Sequence, residues 1–577
     1  MRHSIQSNTS MLALVCTLAM SMAACSRDIG PGNGGGSGGG SGGGSGGGTA
    51  GGSGGGAGGG SGGICAEGCP AGYLCNSGVC TGGNASNLVL DIKPLAVSGS
   101  ITLNGAAPVL TNNCNSYFGY LYFHGAHGNS TNYTFPCSSG SSFSVSLAAD
   151  TYDIGFYAEG TDASNLPSGP TFMLAQGVVI NANRLNLNLD IKPLAVRGAI
   201  TLNGAAPVLT NNCNSYFGYL FFHGAHGNSA NYTFPCSSGT EYSVMLAADT
   251  YDIGFYAEGT DASNLPSGPT FTLAQGVVIN ANQSMLNLDI KPVTVSGSIT
   301  LNGAAPVLTN NCNFYFGYLY FHGTHGNTTN YTFPCSSGPT FSVSLAADTY
   351  DIGFYAEGTD ASNLPSGPTF VLAQGVAVNT NQSNLNLDIR PLAVSGSITL
   401  NGAAPVLTNN CNSYFGYLYF HGAHGNTANY TFPCSAGPTF SMNLAADTYD
   451  IGFYAEGTEA SNIPSGPTLM LAQGVVINTN QANLNLDIKP LVASGSITLN
   501  GVAPVLTNHC NSYFGYLYFH GAHGNSTNYT FPCSSGPVFS VSLAADTYDI
   551  GFYAEGTDAS NIPSGPTFML AQGVAIP

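Results

Sequence analysis

The chain has 577 residues, of which only 6% are charged while 43% are hydrophobic and 11% aromatic. A soluble protein is ordinarily about a quarter charged, so Ser, Thr, Asn and Gly must supply the polar surface, and the aromatic content argues against a largely disordered chain. Nine basic residues against 28 acidic ones give a net charge of -19, which repels nucleic acid and offers no basic patch for phosphate.

Residues 1–24 read as a targeting segment. Arg2 and His3 precede the apolar run MLALVCTLAM, and Met22-Ala23-Ala24-Cys25 follows. The run is shorter than the roughly 20 residues that a membrane span needs. Small residues ahead of a cysteine at the end of an apolar stretch resemble a bacterial lipobox. That resemblance implies cleavage before Cys25 and lipidation of its thiol and new amino group, and Ser26 in place of Asp points to the outer membrane. Residues 25–63 follow the anchor, and from Gly30 to Gly63 they are almost pure Gly and Ser. Such a segment reads as a flexible tether, with a root-mean-square reach of roughly 30 Å and a contour limit of about 110 Å.

Residues 64–83 hold Cys65, Cys69, Cys75 and Cys80. Four cysteines so close together in an exported chain read as two disulfides stapling a module too small for a core. Three pairings are open, and Cys65–Cys75 with Cys69–Cys80 is preferred. The segment resembles short EGF-like or Dickkopf-like knots. Zinc binding is the rival reading, disfavoured by an oxidising compartment.

Beyond residue 84 a unit returns every 99 residues, five times. Cys114, Cys213, Cys312, Cys411 and Cys510 open a cysteine pair, and Cys137, Cys236, Cys335, Cys434 and Cys533 close it. The period is that of a small domain and exceeds the 20–50 residues of solenoid repeats. Framed by the chain ends, the copies span 84–181, 182–280, 281–379, 380–478 and 479–577. Within a copy the apolar period is two, the signature of strands. Leu88, Leu90 and Ile92 share a face, as do Val97, Ile101 and Leu103, then Phe143, Val145 and Leu147, then Tyr152, Ile154, Phe156 and Ala158. Asn104-Gly105 marks a tight turn. About seven short strands predict an all-β chain of five tandem antiparallel β-sandwich domains. The Gly-rich segment HGAHGN lies midway between Cys114 and Cys137, so a hairpin brings them together and predicts one disulfide per copy.

VSGSITLNG, FSVSLAADTYDIGF and the closing LAQGVVI resemble transthyretin-like or carboxypeptidase-regulatory-like (Ig-like) β-sandwich modules. Asp150 stands where those modules usually have Gly, and the left-handed tolerance of Asp predicts that the turn survives. Tandem copies with LNLDIxP at the junctions also look like repeat lipoproteins of Gram-negative predatory or gliding bacteria. Such modules serve accessory, binding or structural roles, and the resemblance carries over no catalytic residue and no cofactor. Motifs for metalloprotease, nucleotide or dinucleotide chemistry are absent from the sequence, and G-x-S-x-G occurs only in the Gly/Ser tract. A non-enzymatic chain is expected.

Three sets of residues merit weighing. His124 and His127, repeated in every copy, flank a tight turn and form a candidate Zn²⁺ or Cu²⁺ pair that lacks further ligands nearby. Asp150, Asp153, Glu159, Asp162 and Asn165 are oxygen donors for Ca²⁺, though not at EF-hand spacing. Phe118, Tyr120 and Tyr122, placed opposite Gly119, Leu121 and Phe123, form an outward aromatic stripe suited to a sugar. In each case a solvated or packed surface is the plainer reading. The expected protein is an outer-membrane, surface-exposed lipoprotein that projects a semi-rigid rod of five beads, each about 35 Å long. Its expected role is structural or adhesive, toward extracellular glycans or neighbouring surface proteins.

Overall fold

A computed structural model describes the backbone of residues 73–76 and 79–82 and the chain from 85 to 576, apart from short loop stretches in every unit such as 112–113, 115, 159–165 and 168. The targeting segment, Cys25, the Gly/Ser tract, the disulfide pairing of Cys65, Cys69, Cys75 and Cys80, and the loop residues Glu159, Asp162 and Asn165 lie outside the described residues. Strands β1 (Tyr73–Asn76) and β2 (Val79–Gly82) form an antiparallel hairpin with Cys75 opposite Cys80 in its register.

The next strands in chain order are β3 (Ala85–Ile92), β4 (Leu95–Leu103), β5 (Tyr117–Gly125), β6 (Ser130–Pro136), β7 (Ser142–Leu147), β8 (Asp150–Tyr157), β9 (Thr171–Ile180) and β10 (Arg184–Ile191). They form where the sequence alternates apolar and polar residues. Val97, Ile101, Phe143, Leu147, Tyr152, Ile154 and Phe156 are all buried, with serines and threonines between them facing out. Two sheets result. One is four-stranded and antiparallel, in the order β6-β5-β8-β9. The other is three-stranded, with β4 central, β7 antiparallel to it and β10 parallel. Their inner faces meet in one aromatic-rich core per unit. The hairpin leaving β4 is a two-residue turn, with Asn104 at φ 49° and Gly105 at φ 79° between the paired Leu103 and Ala106, the conformation that Asn-Gly favours.

The repeat of the sequence and the unit of the structure are offset by one strand. In the sequence frame β10 opens the second copy, yet Leu187, Leu189 and Ile191 are buried in the core of the first. The chain passes from one unit to the next at Lys192-Pro193, between β10 and β11 (Leu194–Leu202), and not at Asn181-Ala182-Asn183. Pro193 has no N–H for a ladder, so pairing stops there and β11 starts the next sandwich. A structural unit therefore spans 95–191, and its equivalents span 194–290, 293–389 and 392–488, each closed by its own last strand.

Among the described residues, the strand that closes the fifth unit, from 491 onward, comes from elsewhere in the chain. It is β3: residues 85–92 run parallel to Leu491–Leu499, in the register Leu88↔Gly495, Leu90↔Ile497 and Ile92↔Leu499. Leu90 and Ile92 are buried in the fifth core. The four-stranded sheets also join edge to edge through one residue pair at each joint. These pairs are Thr171↔Ser229, Thr270↔Thr328, Thr369↔Thr427, Thr468↔Ser526 and Thr567↔Ser130. The last pair returns to the first unit, and twenty strands form a closed cycle. The array is a five-membered ring, not the extended rod that the sequence reading expects. Nor is the copy 84–181 a self-contained bead: it carries the strand that closes unit five and lacks the one that closes its own.

Close approach of the closing strand requires glycine at one position. A Cβ on Gly99 would lie 1.9 Å from the Leu187 carbonyl oxygen, and the same contact recurs at Gly198, Gly297, Gly396 and Gly495. The closing strands carry a bulge at an asparagine with positive φ, namely Asn87, Asn186, Asn384 and Asn483. The remaining copy has Met285 there, a residue that avoids the left-handed region. Its ladder shortens to Leu288–Ile290 plus a bridge between Val196 and Gln283. The unit that receives this strand has Tyr242 where the others have Phe143, Phe341, Phe440 and Phe539, and its hydroxyl donates to the Leu286 carbonyl at 2.5 Å. This bond joins the backbone bonds of Gln283 and Leu286 to Ala195 and Arg197 in holding the strand without the bulge.

Candidate functional site

A buried polar cluster centres on the first residue of β8. Asp150 is not in a left-handed turn; it begins a strand, and its carboxylate is fully buried. Oδ1 accepts from the Thr151 backbone N–H at 2.7 Å and lies 2.6 Å from His127 Nδ1, while Oδ2 accepts from the Asn129 amide at 2.7 Å and the His127 backbone N–H at 3.2 Å. Burial pushes this carboxyl upward, but the hydrogen bonds from Asn129, His127 and Thr151 outweigh it and hold it below the usual range. The equivalent Asp348 has a further bond from the Thr324 hydroxyl and is held at about 2.

Asn129, itself buried, links this cluster to the neighbouring unit. Its Nδ2 bonds Asp150, and its Oδ1 accepts the Met569 backbone N–H from unit five at 2.7 Å. The same bridge occurs at the other four joints, from Asn228 to Met173, Asn327 to Thr272, Asn426 to Val371 and Asn525 to Met470. Gln176 donates to the His226 carbonyl across its joint at 3.3 Å. Apolar contact accompanies these bonds: Ala148, which precedes β8, packs against the core of unit five, and Ala247 packs against that of unit one. A His–Asp pair is half of a general-base arrangement, but here the remaining carboxylate valences go to backbone and to the bridging asparagine. The cluster is a joint.

The residues singled out in the sequence fall differently. His127 is taken up by Asp150, whereas His124 lies opposite Asp153 in the β5–β8 register with its ring 5.3 Å from Tyr122. Among the described residues no group of three or more His, Cys, Asp or Glu could hold a metal ion. Asp153 accepts the Gly177 N–H at 2.9 Å, where β9 bulges through a glycine at φ 62°. Phe118 does not join an outward stripe. The register shifts between Tyr117 and Gly119, so Phe118 turns into the core and stacks on Phe135 at 5.3 Å. Tyr122 lies across Gly155, where a Cβ would overlap its ring, and burial pushes its hydroxyl up to about 12. At the same position unit two has Phe221, also over a glycine, so packing accounts for the ring. Tyr120 remains partly exposed beside Tyr117, with ring centres 5.1 Å apart. Cys114 is bonded to Cys137 with Cα atoms 5.8 Å apart, and the other four units repeat the bridge.

The joint set by Asn129 and Asp150 left one sequence signal: an Asp at a position that the resembling modules fill with Gly. Its partners are 21 and 23 residues away in the chain, and only the β5–β6 hairpin brings them back.

No family model and no curated protein matches the chain. Solved structures with weak likeness include the Bacillus anthracis TIE protein, at 11% identity over 66% of this chain and 73% of that one, with a TM-score of 0.13. Two B repeat units of the Staphylococcus aureus collagen-binding protein align at 7% identity over 69% and 99%, with a TM-score of 0.13. The pilus adhesin SpaC of Lactobacillus rhamnosus GG aligns at 9% over 65% and 56%, with a TM-score of 0.14. Values this low assign neither a family nor a ligand.

Acid should loosen the joints. Because the folded carboxyl titrates below its ordinary value of 3.8, the ionised form favours the fold. Its contribution is complete above that value and is lost as pH falls through the folded one, about 2 for Asp348. Small-angle scattering between pH 5 and pH 2 should show expansion beginning below about pH 4. An Asp348→Asn variant should already be weaker at neutral pH and respond less to acid. Scattering that is flat across the window would remove the joint from the account of stability.

Proposed function

We propose that this chain is a non-enzymatic cell-surface protein that displays a ring of five equivalent binding faces, held to the outer membrane by lipidated Cys25 and the Gly/Ser tether. The observation that carries this reading is the closed five-fold repetition. Each unit presents the same loop with a more than half-exposed valine, at Val109, Val208, Val307, Val406 and Val505. Five weak copies on one body act together, since binding at one face raises the effective concentration at the next. Extracellular glycans or neighbouring surface proteins are the proposed partners. The scarcity of charge and the disulfide in every unit suit an oxidising exterior.

Changing Cys25→Ala tests the anchor. Labelled palmitate should no longer be incorporated, and the protein should move from the detergent phase to the aqueous phase. Equal incorporation by the variant would defeat the lipoprotein reading. For adhesion, the ring immobilised on glycan and protein arrays should bind at least roughly a hundredfold more tightly than a variant with all five loop valines changed to serine. Equal binding would place the contact elsewhere.

A further inference from the structure

We propose that the acceptor edge of unit five is an interaction site for a second copy of this chain, whose β3 enters it in place of the chain's own. Three observations carry this. First, β3 is anchored in unit five just as β10 is anchored in unit one. Asp91 accepts the Thr498 hydroxyl at 2.7 Å and the Gly501 N–H at 2.8 Å, and Asp190 makes the same two bonds to Thr102 and Gly105 at 2.7 and 2.8 Å. Nothing in these contacts distinguishes the strand of one molecule from that of another. Second, what favours self-closure is proximity alone, and proximity is poor here. Asp91 and Thr498 are 407 residues apart in sequence, whereas Asp190 and Thr102 are 88 apart. Docking of β3 closes a far longer loop than docking of β10, so it is entropically more costly. Third, β3 reaches the groove from across a joint: it precedes β4, the central strand of unit one, yet completes the sheet of unit five. Until β3 docks, Gly495, Ile497 and Leu499 present an open sheet edge, and such an edge pairs with any matching strand.

Exchange between copies follows directly. If β3 of one chain completes unit five of the next, the same cores and the same ladders form, and the product is a head-to-tail series in place of a closed monomer. A closed swap gives a dimer, and an open one gives longer multimers.

Asp91→Cys/Thr498→Cys places a thiol pair in register across this contact. Unfolding in guanidinium with the native disulfides intact, refolding at low or high protein concentration, and then oxidising fixes whichever strand is present. Non-reducing gels should show monomers after dilute refolding and a ladder of multimers after concentrated refolding, the multimer share rising at least tenfold. The unmodified chain taken through the same cycle should give integral multiples of the monomer mass by light scattering, which guards against a folding defect in the double variant. Monomer at every concentration in both assays would overturn the proposal. Failure of the thiol pair to couple in a chain that remains monomeric by scattering would overturn it as well.

Discussion

A Gly495→Ala substitution should weaken ring closure, whereas Gly99→Ala should leave it intact. In both, the new methyl is driven into the backbone of the closing strand, 2.0 Å from the Leu88 oxygen in one case and 1.9 Å from the Leu187 oxygen in the other. A side-chain tip can turn aside, but a paired backbone cannot, so the strand must shift or leave. β10 is tied in sequence to β9 before it and β11 after it, so displacement distorts unit one without separating it from unit two. β3 is tied to the ring at one end only. Its departure removes the burial of Leu90 and Ile92, each worth about 1.5–3 kcal/mol. It also frees one of the contacts through which unit five holds unit one, leaving the Ser130↔Thr567 pair, the Asn129 bridge and the packing of Ala148. Gly495→Ala should therefore increase the hydrodynamic radius and make residues 85–92 susceptible to protease, with neither change in Gly99→Ala. Identical behaviour of the two variants would mean that β3 is not what keeps the ring shut.

Replacing Cys312 and Cys335 together with alanine produces the other large loss. The bridge spans a sequence separation of 23, and closing such a loop in the unfolded chain is worth about 3 kcal/mol on the chain-entropy estimate. For a unit of this size that is a fall of roughly 12–24 °C in melting temperature. The bridge joins the ends of the hairpin formed by Tyr315–Gly323 and Thr328–Pro334, and the second of these strands receives the neighbouring unit at Thr328. The loss should thus appear in calorimetry as an early transition confined to one unit and its joint. Reductant added to the unmodified chain should shift the whole profile. A single unshifted transition in the double variant would assign the bridge no part in stability.

Much of the architecture is legible in the residues. Period-two alternation locates β4, β7 and β8 with their core faces, Asn104-Gly105 locates a turn, and the midpoint of the cysteine pair locates a hairpin. The sandwich follows from these local rules. What fails does so for identifiable physical reasons. Phe118 is misplaced because a single register shift reverses the alternation, and Phe-Gly-Tyr alone contains no sign of it. The Asp150 cluster is hidden because its bonds are non-local. Ring closure is invisible because five near-identical copies can be cut into units at any point of the period. The chain ends suggest one frame and the hydrogen bonds choose another. Met285 and Tyr242 could have been noticed as paired departures from the other copies, but their relation emerges only when one is seen to bond the backbone beside the other.

The closed circuit also constrains how this chain can change over generations. Near-identical neighbouring copies invite unequal recombination, and in an open string the gain or loss of one copy alters only length. Here every joint repeats the same Asn129-type bridge, backbone pair and apolar contact, so a ring of four or six copies would have to re-angle all of its joints at once. Copy number is therefore tied to the geometry of the joints.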